Sequence, residues 1–195
     1  MPNKLVHLLL LSFFLLDTSC AMAIEEPKFT VVTSRDGVEY RQYEAYMVAA
    51  TLIAGENDRD TASSQGFRRL FKYISGDNTP NKSISMTAPV QQTPSANGWK
   101  IAFIVPQQFS QSTVPTPASA DVAIETVPAQ LMAVVRYSGR WTDKNLKQHA
   151  DELLQKLEAA GIPTQGPVMS AAYNAPFTPP FMRRNEVMVV VDRVP

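Results

Sequence analysis

The chain matches itself at an offset of 84 residues, and this internal likeness restricts its fold more than any single motif. Val38–Gly55 (VEYRQYEAYMVAATLIAG) falls without a gap on Val122–Gly139 (VAIETVPAQLMAVVRYSG), final glycine on final glycine. At the same offset Asp60 meets Lys144 beside Asp143, Ile84-Ser85-Met86 meets Val168-Met169-Ser170, and Trp99–Pro106 meets Arg183–Val190. The identities are few; what repeats is the order of apolar runs and breakers. Each half reads strand, strand, helix, strand, strand.

The strands are the runs rich in Val, Ile, Tyr and Phe: Tyr46–Ile53, Ile101–Val105, Leu131–Tyr137 and Val187–Val191. The first helix is expected over about Thr61–Ser75, capped by Asp58 or Asp60 and stopped by Gly76, with Phe67, Leu70, Phe71 and Ile74 on one face. The second is expected after Thr142, with Leu146, Ala150, Leu153, Leu154 and Leu157 on one face, ending at Gly161 before Pro163. Thr93–Gly98 reads as a hairpin loop, and Gln107–Asp121, rich in Ser, Thr and Pro, as an extended connector. The expectation is an α+β domain over residues 24–195. Duplicated βαββ-like halves, about 28–106 and 120–195, form a distorted antiparallel β-barrel flanked by two helices.

Residues 1–23 read as a signal peptide. Lys4 gives a positive start, Leu5–Leu16 is largely apolar, and Ala21-Met22-Ala23 is a small-x-small cleavage pattern. A periplasmic or secreted chain follows; Cys20 leaves a lipid-anchored alternative open, against which Asp17 is a poor fit to a lipoprotein signal. Cys20 is the single cysteine, so a chain cut at Ile24 has neither disulfides nor thiol chemistry. Removing Lys4 and Asp17 with the leader keeps acids and bases equal in number. That balance argues against nucleic acid as the main partner, and no apolar run is long enough to span a bilayer.

No enzyme motif stands out: there is no glycine-rich phosphate loop, no pair of metal-binding histidines and no nucleophile elbow. No catalytic residue or metal ligand is assigned. His149, the only histidine after the leader, sits at the border of the second helix's apolar stripe, where it packs its ring or serves as a haem or metal ligand. Tyr173–Val191 (YNAPFTPPFMRRNEVMVVV) opens with a proline-stiffened aromatic loop. Two readings of it are open: Phe177 and Phe181 plug one end of a sheet, or with Met182 and the Arg183-Arg184 pair they meet a flat, apolar, anionic ligand. Where the run enters a strand, Arg183 and Asn185 face one side, and Arg184 and Glu186 the other.

Taken with Lys72-Tyr73-Ile74-Ser75-Gly76 and Met86-Thr87-Ala88-Pro89-Val90, the Tyr173–Val191 stretch makes the chain resemble the SOUL haem-binding protein family, from about Lys28 onward. The resemblance implies the same duplicated α+β fold and binding of haem or another tetrapyrrole in an apolar groove between the first helix and the 173–182 loop. Carried over, Phe67, Leu70 and Phe71 form one wall and Phe177 and Phe181 the other. Lys72 and Arg183 are the cations, Lys72 matching a residue that meets haem propionates. This chain departs from the family at Ser64 and Thr178, where basic residues are expected. It departs again at Gln42, where some members carry a proposed axial histidine. Haem held without that histidine, or another flat or amphipathic small molecule, are the two ligand readings.

Overall fold

The computed structural model describes residues 24–195; the expected leader, its cleavage site and Cys20 lie outside the described residues. The elements are β1 (Phe29–Arg35), β2 (Val38–Tyr43), β3 (Tyr46–Ala54), α1 (Arg59–Ile74), β4 (Asn78–Thr79), β5 (Val90–Ser95), β6 (Gly98–Ile104), β7 (Thr116–Pro117), β8 (Ala123–Val127), β9 (Gln130–Tyr137), α2 (Asp143–Ala159), β10 (Thr164–Ala172), a 3-10 turn at Pro180–Met182, and β11 (Asn185–Val191). Nine strands make one curled antiparallel sheet in the order β1-β2-β9-β11-β10-β5-β6-β3-β8, while β4 and β7 pair separately. The α+β fold with two helices expected from the sequence is therefore the fold, its distorted barrel being a curled half-barrel sheet. Among the described residues no helix is long and apolar enough to cross a membrane.

The halves exchange strands. β2 of the first half pairs with β9 of the second, and β8 of the second pairs with β3 of the first. The registers agree with the repeat: Glu39 lies opposite Val134, and their counterparts 84 residues away, Ala123 and Ala50, lie opposite each other. Beyond the helices the likeness drifts. Val48 pairs with Ile104 but its counterpart Met132 pairs with Val190, an offset of 86 rather than 84. The expected match of Ile84-Ser85-Met86 to Val168-Met169-Ser170 fails outright, because the first is irregular chain and the second lies inside β10. The cause is unequal connections: residues 75–89 separate α1 from β5, whereas 160–163 suffice between α2 and β10.

Both helix starts follow their sequence signals. The Asp58 side chain accepts a hydrogen bond from the Thr61 N–H at 2.7 Å, so Asp58 rather than Asp60 is the cap, and Thr142 accepts from Asn145. The buried face of α1 differs from expectation. It is Ala62, Gly66, Leu70, Tyr73 and Ile74, with Phe67 and Phe71 turned outward. Gly66 explains the rotation: a Cβ there would lie 2.4 Å from Ile101 Cγ1, so only a glycine lets α1 seat so closely on β6. α2 buries Leu153 and Leu157, while Leu154 is partly exposed. The β5–β6 hairpin turns at Ala96-Asn97, tighter than the Thr93–Gly98 loop expected, and Gly98 at φ +122° faces the Ile53 carbonyl, leaving no room for a side chain.

The face of the sheet away from the helices is buried as well. Tyr43, Met132, Val134, Ala171 and Met188 form one cluster, and Val48, Ala50, Ala102 and Ile104 another. Within the first cluster lies a buried ion network. Arg41 Nη1 and Nη2 donate to Glu186 Oε2 and Oε1 at 2.8 and 3.1 Å, and Tyr173 and Arg184 donate to the same carboxylate.

Candidate functional site

A cleft of about 320 Å³ opens between the first half of α1 and the 173–183 loop. One wall is Arg59, Asp60, Ser63, Ser64 and Phe67 of α1; the other is Asn174, Pro176 and Arg183, with Asn185 where β11 begins. Trp141, Val90, Gln92 and Ala172 complete the lining. The last three belong to β5 and β10, whose pairing of Ser170 with Gln92 joins the two halves. The cleft thus sits on the seam of the duplication.

At this seam Arg59, the first residue of α1, donates through Nε to Asp143, the first residue of α2 and its counterpart in the repeat. Arg59 Nη1 donates to Gln92 Oε1 at 3.1 Å, and Gln92 Nε2 donates to Ser63 Oγ at 2.5 Å. Arg59 is 2% exposed; its Nη2 makes no aligned hydrogen bond and has only Asp60 Oδ1 beside it at 2.7 Å, while the buried indole Nε1 of Trp141 has no acceptor. A buried donor without an acceptor costs about 1–3 kcal/mol, a cost that falls on the Trp141 N–H in full and on Arg59 Nη2 in part.

The loop is pinned rather than slack. Arg183 Nε and Nη2 donate to the Thr178 and Pro176 carbonyls at 2.8 and 2.5 Å, and the Gly139 N–H donates to the Pro180 carbonyl at 2.8 Å. The strand alternation read from the sequence holds. Arg183 and Asn185 face the cleft, while Arg184 and Glu186 join the interior network with Arg41 and Tyr173. Burial alone would raise the Glu186 carboxyl; the hydrogen bonds and charge of Arg41, with Arg184, outweigh it and hold it below the usual range. Tyr173 is driven up, first by burial and then by the neighbouring Glu186 charge.

Of the seven residues expected at the site, Phe67 and Arg183 line the cleft. Phe71 stacks on Phe67, centroids 6.0 Å apart and planes 11° apart, extending an aromatic strip along the outside of α1. Leu70 is fully buried in the core behind this strip. Lys72 is exposed on the last turn, away from the cleft. Phe177 and Phe181 do not line it either: they are 89% and 79% exposed on the same loop. Arg69, whose Nη1 donates to the Leu52 carbonyl, faces the sheet edge. Gln42 is exposed on β2, and its side chain donates to the Tyr43 carbonyl. His149 stacks on Tyr137 at 4.2 Å with Nδ1 3.3 Å from Glu152, the packing reading of that residue.

Arg59, Gln92 and Trp141 line the cleft without having been singled out from the sequence, whereas Asn185 was read there as sharing a side with Arg183. A signal for the first was present: the 84-residue offset sets Arg59 against Asp143, opposite charges at equivalent helix starts.

The family profile described as SOUL heme-binding protein matches residues 24–190. Heme-binding protein 1 of Xenopus laevis is 29% identical over 174 residues, spanning 85% of this chain and 90% of the relative. The mouse (Mus musculus) protein of the same name is 29% identical over 148 residues, 72% of this chain and 77% of its own length. Among solved structures, the EcmrR C-terminal domain superposes with a TM-score of 0.63 at 11% identity, covering 80% of this chain and 98% of that one; this likeness concerns the fold alone.

Proposed function

The chain belongs to the SOUL heme-binding protein family, and from that premise we propose that it binds haem or another tetrapyrrole, as a carrier rather than an enzyme. The observation that carries the reading is the aromatic strip beside the cleft: Phe67 at its wall, Phe71 stacked on Phe67, and Phe177 and Phe181 projecting from the facing loop. So much exposed aromatic surface on a pinned loop and an adjoining helix suits a flat apolar ring, which binding takes out of water. In this reading Phe67 and Phe71 form one wall, backed by Leu70, and Phe177 and Phe181 close on the other. Arg183 supplies a cation near the ring's edge.

Haem supplies an iron centre, and the cleft lining holds no histidine for it. Gln42 occupies the family's histidine position and His149 is stacked on Tyr137. Recognition therefore rests on apolar contact and on the ring's acidic substituents, with modest affinity. The setting belongs to the same proposal: an exported, periplasmic or secreted protein delivered by residues 1–23, with lipidation of Cys20 as the alternative. Absorbance during haemin addition tests the binding; a Soret shift that saturates near one equivalent supports it, and an unchanged spectrum refutes it.

Gln42, Ser64 and Thr178 favour a second reading, a different flat or amphipathic small molecule in the same groove. Native mass spectrometry of protein taken from its own host separates the two by the mass of whatever is retained.

A further inference from the structure

We infer that the polar end of the ligand is a carboxylate and that it is received at the seam of the two halves by Arg59 Nη2 and the Trp141 indole N–H, not at Lys72. This rests on the tetrapyrrole reading above and adds to it the orientation of the ligand and the group that selects it.

Two donors in one cleft lack an aligned hydrogen-bond acceptor, and both are already desolvated. Arg59 is held rigidly: Asp143 takes Nε, Gln92 takes Nη1, and its guanidinium lies 5.9 Å from the Trp141 ring centroid, so Nη2 alone lacks an aligned hydrogen bond and has only the Asp60 ion-pair contact. The first turns of α1 and α2 flank the same place, since Trp141 directly precedes the α2 cap and Asp60 and Ser63 belong to the start of α1. Both helix dipoles thus present their positive ends, which favours an anion over a neutral carbonyl. Opposing it are the Asp143 carboxylate, already paired with Arg59 Nε, and Asp60, whose Oδ1 lies 2.7 Å from Arg59 Nη2 without the alignment of a hydrogen bond. That side chain is 66% exposed, so it can turn into solvent when a better-placed carboxylate arrives. Asp60 is thereby a competitor that the ligand displaces.

Lys72 lies 13 residues further along α1, about 20 Å at 1.5 Å per residue. A ligand anchored at Arg59 therefore lies along the Phe67–Phe71 strip with its acid end at the start of the helix.

The test uses metal-free protoporphyrin IX, which carries two free carboxylic acids, and its dimethyl ester, followed by porphyrin absorbance and fluorescence. The protein is expected to bind the diacid about tenfold or more tightly than the ester, the usual scale for a hydrogen bond to a charged group. Trp141→Phe, which removes the N–H and keeps an aromatic ring, weakens the diacid more than the ester and so narrows the difference between them. Asp60→Asn, at an exposed position that a folded protein tolerates, tightens the diacid alone. Equal binding of diacid and ester, or an Asp60→Asn variant with unchanged or weaker diacid affinity, overturns the inference while the tetrapyrrole reading stands. Failure to bind either porphyrin overturns both. Should Trp141→Phe not fold, the Asp60→Asn comparison decides alone.

Discussion

Glu186 has no accessible surface, and its two oxygens accept from Arg41, Arg184 and Tyr173. Taking one charge out of such a group strands the other, so Glu186→Gln is expected to cost about 3–5 kcal/mol, read as a lower urea midpoint. The same carboxyl governs the acid response. Its folded value is depressed, so the unfolded chain binds the proton more readily. The stabilisation is complete above the ordinary carboxylate value of 4.5 and is lost as pH falls through the folded value. Unfolding midpoints measured from pH 7 downward should fall below about pH 4.5 in the wild type and show a smaller fall in Glu186→Gln. An equally steep fall in the variant assigns acid lability to other carboxylates.

For the elements, α1 is the informative case. Gly66→Ala drives a Cβ into Ile101 of β6, so the helix must lift or Ile101 must change rotamer. A loss of about 1–3 kcal/mol is expected in thermal or urea unfolding, reversing the small gain that glycine-to-alanine gives in an open helix. Asp58→Ala removes the cap on Thr61 and should cost about 1 kcal/mol. α1 also shows what the sequence could and could not reveal. Its cap, its stop and its amphipathic period are local signals, and they located the helix within two residues. Its buried face was misassigned because Phe67 and Phe71 look like core, whereas Ala62 and Gly66 are buried through their small size, which matters only once β6 lies beneath them. Phe177 and Phe181 were legible as a rigid aromatic loop, but not as side chains projecting 89% and 79% into solvent.

Across the whole molecule, the duplication was visible in the sequence and the exchange of strands was not, since β2 finds β9 and β8 finds β3 through pairing between distant segments. The same distance hid the seam, where Arg59, Gln92, Trp141 and Asn185 come from four separate elements or connections. The exchange predicts that neither half is an independent unit. A fragment of residues 24–106 lacks the β9 partner of β2 and the β8 partner of β3, so its circular dichroism and amide dispersion should be those of an unfolded chain. The intact 24–195 chain should unfold in one cooperative step. The central claim, that the aromatic strip and its facing loop receive a tetrapyrrole, is tested most directly by haemin titration of residues 24–195 and of a Phe177→Ala, Phe181→Ala double variant, followed at the Soret band. The account predicts saturation near one equivalent for the wild type and loss of saturable binding in the variant, whose exposed phenylalanines can be removed without disturbing the core. Identical titrations of the two proteins, or no saturable binding by the wild type, would contradict it.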